Sequence, residues 1–225
     1  MARMTQEQRK QATRGKLLTS ATKAFAEKGY SGASIEQISD AAGLSRGAFY
    51  AHFEDKNALF LAVLDDMVDQ IQQFAADIGP QAGPGSLLSA MTGVNVGHSR
   101  VDPAWFQLYS EFRSHALRDP ATRARLAKHY RRLRAVIAKV IEAQFAALGL
   151  KPPMSAPDLA ALVLAIDEGL ATQRGVDPKA IRRELFIEIL GTLFQASAAL
   201  ARDQTAEETS RGAPATRTTG RRVTP

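Results

Sequence analysis

The densest chemistry in the chain is the run Ser45-Arg46-Gly47-Ala48-Phe49-Tyr50-Ala51-His52. Wound as a helix, it turns Phe49 to one side and leaves Arg46, Gly47, Ala48, Tyr50 and His52 on the other. A helix start with a cationic and a hydroxyl-bearing side chain facing outward suits the DNA major groove. There arginine donates two parallel hydrogen bonds to guanine, and apolar groups meet the thymine methyl. Other kinds of chemistry find no matching spacing. The four histidines, at 52, 98, 115 and 129, have no metal-ligand spacing, and the chain lacks cysteine, a phosphate-gripping glycine loop and a nucleophile elbow. Asp167 and Glu168 are adjacent, so on a helix their side chains diverge by about 100° instead of converging on one substrate. No catalytic residue, metal or cofactor is expected.

Two short helices joined by a tight glycine turn, at about residues 34–53, must position that run. Ser34 offers its hydroxyl to the free amides of the first helix, a cap worth about 1 kcal/mol over alanine. Ile35, Ile38, Ala41 and Ala42 give this helix one apolar face. Gly43 ends it where the backbone needs positive φ, and Ser45 caps the next helix, anchored by Leu44 and Phe49. Upstream, Leu17, Leu18, Ala21, Ala24 and Phe25 predict a helix from near Gln6 to Lys28, stopped by Gly29. Downstream, Phe60, Leu64, Met67, Ile71, Phe74 and Ile78 recur at steps of four and three. They predict one long helix over 56–78 that leaves the reading unit and continues past it.

Three blocks of sequence, Gly29-Tyr30-Ser31-Gly32-Ala33-Ser34-Ile35, Ala41-Ala42-Gly43-Leu44-Ser45 and Phe49-Tyr50-Ala51-His52-Phe53-Glu54-Asp55-Lys56-Asn57-Ala58-Leu59, resemble the N-terminal domain of TetR-family transcriptional regulators. The resemblance is strong over about Arg14 to Leu64 and only architectural beyond. Ser39 stands where many helix-turn-helix units carry alanine. The resemblance implies an all-α chain of about nine helices: a three-helix DNA-binding domain over 1–55, a connecting helix over 56–78, and an effector-binding and dimerisation domain over 84–202. It implies Arg46 as the main base reader beside Ser45 and Ala48, with Gly47 admitting the backbone close to DNA. Tyr50 and His52 fall at phosphate-contacting positions, and Ser34 and Lys56 sit at helix starts that grip phosphate.

One such helix reads too few base pairs to stand out against a genome. The family pattern therefore implies a homodimer through residues about 156–202 on an inverted-repeat operator. It also implies an apolar pocket for a small effector. Trp105, Tyr109, Phe112 and Tyr130, with His98 or His115, are candidate lining residues, and Asp167 or Glu168 would face a cationic ligand. The expected mechanism is a population shift. The effector favours a dimer with its reading helices at the wrong separation, and the connecting helix carries the displacement. The competing classes are a nonspecific architectural DNA-binding protein and, less well supported, an α-helical enzyme.

Composition agrees with a regulator. At 225 residues and 45% hydrophobic content the chain is long enough for a proper core. A net charge of +6 and a pI near 9.8 permit a polyanionic partner. Residues 1–28 hold seven basic side chains against Glu7 and Glu27, directly before the reading unit. The polar N-terminus has no signal-peptide core and no run reads as long enough to span a membrane, so a cytoplasmic protein is expected.

Gly79 to Ser86 reads as a loop, Ser86 to about Arg100 as a weak helix, and further helices start at Pro103 and after Asp119-Pro120. The last two, Ala156–Arg174 and Pro178–Arg202, are apolar over more than one stripe, which calls for a partner surface. Arg125, Lys128, Arg131 and Arg132 read as a solvated face. Residues 203–225, poor in large aliphatics, are expected to be a disordered tail.

Overall fold

The computed structural model describes residues 4–78, 103–182 and 184–212, the side chains of 103–104 and 205–212 excepted. Among the described residues there are eight helices and no strand. They are α1 (Gln6–Gly32), α2 (Ile35–Ala41), α3 (Arg46–Tyr50), α4 (Lys56–Ile78), α5 (Pro103–Arg118), α6 (Pro120–Ala147), α7 (Ala156–Val176) and α8 (Leu185–Gly212). The expected helix over Ser86–Arg100, the preceding loop and the tail beyond Gly212 lie outside the described residues.

Local chemistry sets the boundaries. Thr5 and Gln8 bond reciprocally at the start of α1, Gln8 N–H to Thr5 Oγ1 at 3.2 Å and Thr5 N–H to Gln8 Oε1 at 2.8 Å, a capping box the sequence reading passed over. α1 also runs past Lys28 to Gly32, because Gly29 interrupts it at φ 70 without ending it. Asp119 and Ser155 cap α6 and α7 by accepting from Thr122 N–H at 2.8 Å and Asp158 N–H at 3.2 Å.

α8 departs from the expectation at both ends. It starts at Leu185 and not Pro178, since Asp177 Oδ1 accepts from Lys179 N–H at 3.0 Å and Ala180 N–H at 3.2 Å and so closes a turn there. It also continues through 203–212, where disorder was expected. It includes Leu185–Gln204, a stretch of mean hydropathy 1.3 that is long and apolar enough to cross a membrane by length and composition, contrary to the sequence reading. Only 17% of that stretch is buried within the chain.

Two apolar cores meet at Tyr130. The first joins Leu17, Phe25, Ile38, Phe49 and Phe60 to Trp105, Leu108 and Phe112 of α5, so the reading head and α5 share one interior. Its centre is aromatic: Phe60 lies 4.4 Å from Phe112 and 5.0 Å from Phe25, ring centre to ring centre. The second gathers Val68, Ile71, Leu133, Ile137, Phe145, Ala160, Leu164 and Ala198 from α4, α6, α7 and α8.

Candidate nucleic-acid interface and effector cleft

The turn between α2 and α3 is closed by backbone alone. Gly43 takes φ 68, its N–H donates to Asp40 O at 3.0 Å, and Leu44 N–H donates to Ser39 O at 2.9 Å, so the last carbonyls of α2 are satisfied. Ser39, the departure from the family pattern, is buried and donates its hydroxyl to Ile35 O at 2.8 Å. Ser34 and Ser45 accept from Gln37 N–H at 3.2 Å and Ala48 N–H at 3.1 Å, as caps should. Phe49 is fully buried. That fixes the rotation of α3 and turns its other edge out. Ser45, Arg46, Gly47 and Tyr50 are exposed, and Ala48 and His52 half-buried.

Arg46 leans over the Tyr50 ring, 5.7 Å from its centre, and Tyr50 raises its pKa further, so the guanidinium is charged and pre-oriented one turn along the helix. Among the described residues, an added Cβ at Gly47 would meet only Ser45 Oγ, at 3.7 Å. Arg14 of α1 stacks on Phe53 at 4.9 Å, placing a further cation beside the end of α3 that the sequence reading did not single out.

Lys56 is placed differently from an open phosphate grip. Its Nζ donates to Tyr30 O at 2.8 Å and Ala33 O at 3.0 Å and lies 4.6 Å over the Tyr30 ring, and partial burial lowers its pKa. It ties the start of α4 to the end of α1 with two of its three hydrogens.

The basic face of α6 is a correction, because it is only partly solvated. Arg125 bridges Glu54 at 2.5 Å and Asp55 at 3.3 Å in the loop after α3, and Arg132 pairs with Asp69 and with Asp65 at 3.6 Å on α4. His129, 4% exposed, meets Asp65 Oδ1 through Nδ1 at 2.9 Å. Burial opposes ionisation of Asp65, but His129 and Arg132 outweigh it and hold the carboxyl below its usual range.

Between α4, α5, α6 and α7 lies a cleft enclosing about 590 Å³ of space open to solvent. Leu64, Met67 and Val68 form its floor, Trp105, Phe106 and Tyr109 its aromatic wall, and Arg113, His129, Asp167, Glu168 and Ala171 the rest. The structure thus brings together Trp105, Tyr109, Asp167 and Glu168 from the sequence-predicted set. Phe112 is corrected, since it is fully buried in the core beneath the head, 5.1 Å from the Tyr30 ring. Tyr130 stands behind the cleft and donates its hydroxyl to Glu168 Oε1 at 2.5 Å, its own pKa raised by burial and then by that carboxylate. His115 packs on Tyr30 at 5.7 Å, away from the cleft, and His98 lies outside the described residues. Glu168 is also paired with Arg113 at 3.2 Å.

Phe106 and His129 were missed. Phe106 follows Trp105 and shared its aromatic signal. His129 had no sequence signal, because its partner Asp65 comes from a different helix.

A second groove, lined by Ile141, Phe145, Leu159, Leu162, Val163, Leu190, Leu193 and Phe194, opens on the far end of α6–α8. Leu162, Leu193 and Leu200 are 43%, 36% and 55% exposed.

A capped helix-turn-helix with its second helix facing out, joined through one long helix to an all-helical body with an internal cleft, defines the class of one-chain helix-turn-helix regulators. Residues 17–63 match the model of the bacterial regulatory proteins of the tetR family, and residues 84–199 match that of the BetI-type transcriptional repressor C-terminal domain. The chain belongs to the TetR family of transcriptional regulators.

It is 32% identical over 117 residues to the HTH-type transcriptional repressor AcnR of Corynebacterium efficiens, a match covering 52% of this chain and 57% of that protein. The chain thus spans little more than half the length of that curated relative. A TetR-family regulator from Rhodococcus sp. superposes with a TM-score of 0.62 at 21% identity, covering 85% of this chain and 99% of the other. A transcriptional regulator from Saccharomonospora viridis, solved with choline, superposes with a TM-score of 0.58 at 19% identity, covering 81% and 95%.

Proposed function

We propose that the protein is a cytoplasmic, homodimeric repressor that binds an inverted-repeat operator and is released by a small cationic effector. The outward Arg46 edge carries the reading, because the buried Phe49 fixes it on a face that no described residue packs over. Arg46 reads a guanine with Ser45 and Ala48 beside it, while Gly47 lets the backbone approach and Tyr50 and His52 contact phosphate. Ser34 keeps its hydroxyl hydrogen, and Lys56 its third N–H, for phosphates at the two helix starts.

The apolar residues left exposed on α7 and α8 support a dimer through residues about 156–202. Repression agrees with the printed roles of AcnR and of the BetI-type domain. The cleft supports the effector class: an aromatic wall suits a cation's apolar body, and Asp167 and Glu168 outnumber Arg113. The neighbour solved with choline is in keeping with that chemistry. Release from nearly full to nearly empty operator requires about 5.5 kcal/mol of differential affinity.

Selection from random duplexes tests the reading. An inverted repeat bound at least about a thousandfold better than bulk DNA is expected. Binding without a preferred sequence would support the architectural alternative instead. Trp105, the sole tryptophan, reports on the cleft, so benzyltrimethylammonium should quench its emission and displace the selected duplex. Failure of a panel of cations, with success of neutral or anionic analogues, would reject the effector class.

A further inference from the structure

α1 does not simply stop before the helix-turn-helix. Gly29 adopts φ 70 and ψ 174 inside it, a left-handed backbone that interrupts the helical ladder. The amides just past the break donate to one carboxylate on α5, Tyr30 N–H to Glu111 Oε2 at 3.1 Å and Ser31 N–H to the same oxygen at 3.5 Å. Gln107 donates to the other oxygen at 3.4 Å. A Cβ on residue 29 would stand 3.1 Å from Oε2, so the carboxylate is seated against the break itself.

Tyr30 is held on its other sides by the same body. Lys56 donates to its carbonyl, its hydroxyl donates to Asn57 Oδ1, and Asn57 Nδ2 donates to Thr122 Oγ1 of α6 at 3.0 Å. Four residues later Ser34 caps α2. Glu111 also lies two positions from both Tyr109 and Arg113, about 200° around the helix axis. α5 therefore carries the cleft's wall on one side and the carboxylate that fixes the entry to the reading head on the other.

We propose that Glu111 is a positioning residue that couples the cleft to the reading head. This rests on the reading of the cleft as the effector site. A roll or shift of α5 around a bound ligand moves the carboxylate, and with it the Tyr30 amide that sets the angle of α2 and hence of α3. The neighbouring contact of Phe112 with Tyr30 is apolar and tolerates sliding, whereas a charge-assisted bond to two backbone N–H groups transmits direction. Glu111 does not line the cleft and acts through the Tyr30 amide.

Coupling is reciprocal, so it is readable from the DNA end with no effector present. The full chain is mixed with its best selected duplex, and acrylamide quenching of Trp105 is measured with and without it. In the wild type, duplex binding should change the quenching constant about twofold. Glu111→Ala should still bind the duplex while that change disappears. Glu111→Gln, which keeps one acceptor oxygen for Tyr30 N–H, should fall between and decides the matter if the alanine variant does not fold.

A purely structural role would instead lower duplex affinity and thermal midpoint and leave the Trp105 response per bound duplex intact. That result overturns the proposal, as does a wild type whose Trp105 ignores the duplex. Failure to select any preferred duplex would bring down the regulator reading itself, and is seen before Trp105 is measured.

Discussion

The reading head and the body behind it, each with its own apolar core, differ in what they do with the charged and apolar side chains outside that core. In the head, apolar side chains face in and polar ones face out. Phe25, Ile38 and Phe49 are fully buried, and Arg46 and Tyr50 stand outside on helices whose capping serines each accept a backbone N–H. In the body, charged groups turn inward, His129 onto Asp65 and Arg113 and Tyr130 onto Glu168, while Leu162, Leu193 and Leu200 point out. Where local rules are all obeyed, function sits on the outer surface. Where they are broken, the breakage itself marks the cleft and the partner face.

The sharpest way to break the comparison is to repair the inverted patterning of α8. Leu193 and Leu200 lie seven residues apart on one exposed face, so Leu193→Glu with Leu200→Glu removes apolar area from the partner surface and adds like charges across a two-fold axis. The monomer should remain folded, sediment as a single chain at micromolar concentration, and lose about 10²–10⁴-fold in operator affinity as two linked half-sites become independent. Vesicle binding by the wild type, lost in the same variant, would point to a membrane for this face.

Next in size, Arg46→Ala should cost about 1–3 kcal/mol of operator affinity and relax the preference at one base position. Unchanged discrimination across single-base variants of the operator would remove Arg46 from base reading.

Gly47→Ala divides stability from function within one residue. Among the described residues a methyl group there meets only Ser45 Oγ at an ordinary 3.7 Å, and alanine suits a helix better than glycine, so the fold should gain about 0.5–1 kcal/mol. A methyl group between backbone and duplex should weaken operator binding about tenfold, roughly 1.4 kcal/mol. Equal or better binding would show that the backbone does not approach DNA there.

The head was legible in the sequence because its determinants are local: Ser34, Gly43 and Ser45 act within five residues of what they cap, and the three-to-four spacing of Ile35, Ile38, Ala41 and Ala42 needs no knowledge of the rest of the chain. The long helix over 56–78 was legible for the same reason. The body was legible as helices but not as a site. Asp65 and His129 are 64 residues apart in sequence, Glu111 and Tyr30 are 81, and nothing in either segment signals its partner. Phe112 shares its helix, its aromatic character and the head's core with Trp105, and only three-dimensional packing lets Trp105 also reach the cleft while Phe112 does not. Arg125 and Arg132 read as solvated because charge on a helix face is solvated by default; their carboxylate partners come from the loop after α3 and from α4.

The smallest effect tests whether those cross-links matter to the fold or only to its alignment. Arg125→Ala removes the bridge to Glu54 and Asp55, three side chains that are 37%, 74% and 41% exposed. Exposed pairs of this kind contribute about 0.2–1 kcal/mol, and 0.5 M salt should erase most of that. Asp55 keeps its own bond from Ala58 N–H at 2.6 Å, so the start of α4 stays capped. The inner link behaves differently on acidification. The folded pKa of Asp65 is depressed, so its stabilisation is complete above the unfolded value near pH 4 and fades as pH falls through the folded value below it. Acid unfolding curves of the wild type and of Asp65→Asn should therefore converge below about pH 4, while those of Arg125→Ala stay parallel to wild type in high salt. An Arg125→Ala loss well above 1 kcal/mol that survives salt would make the outer bridge, and not the shared aromatic core, the fastening between head and body.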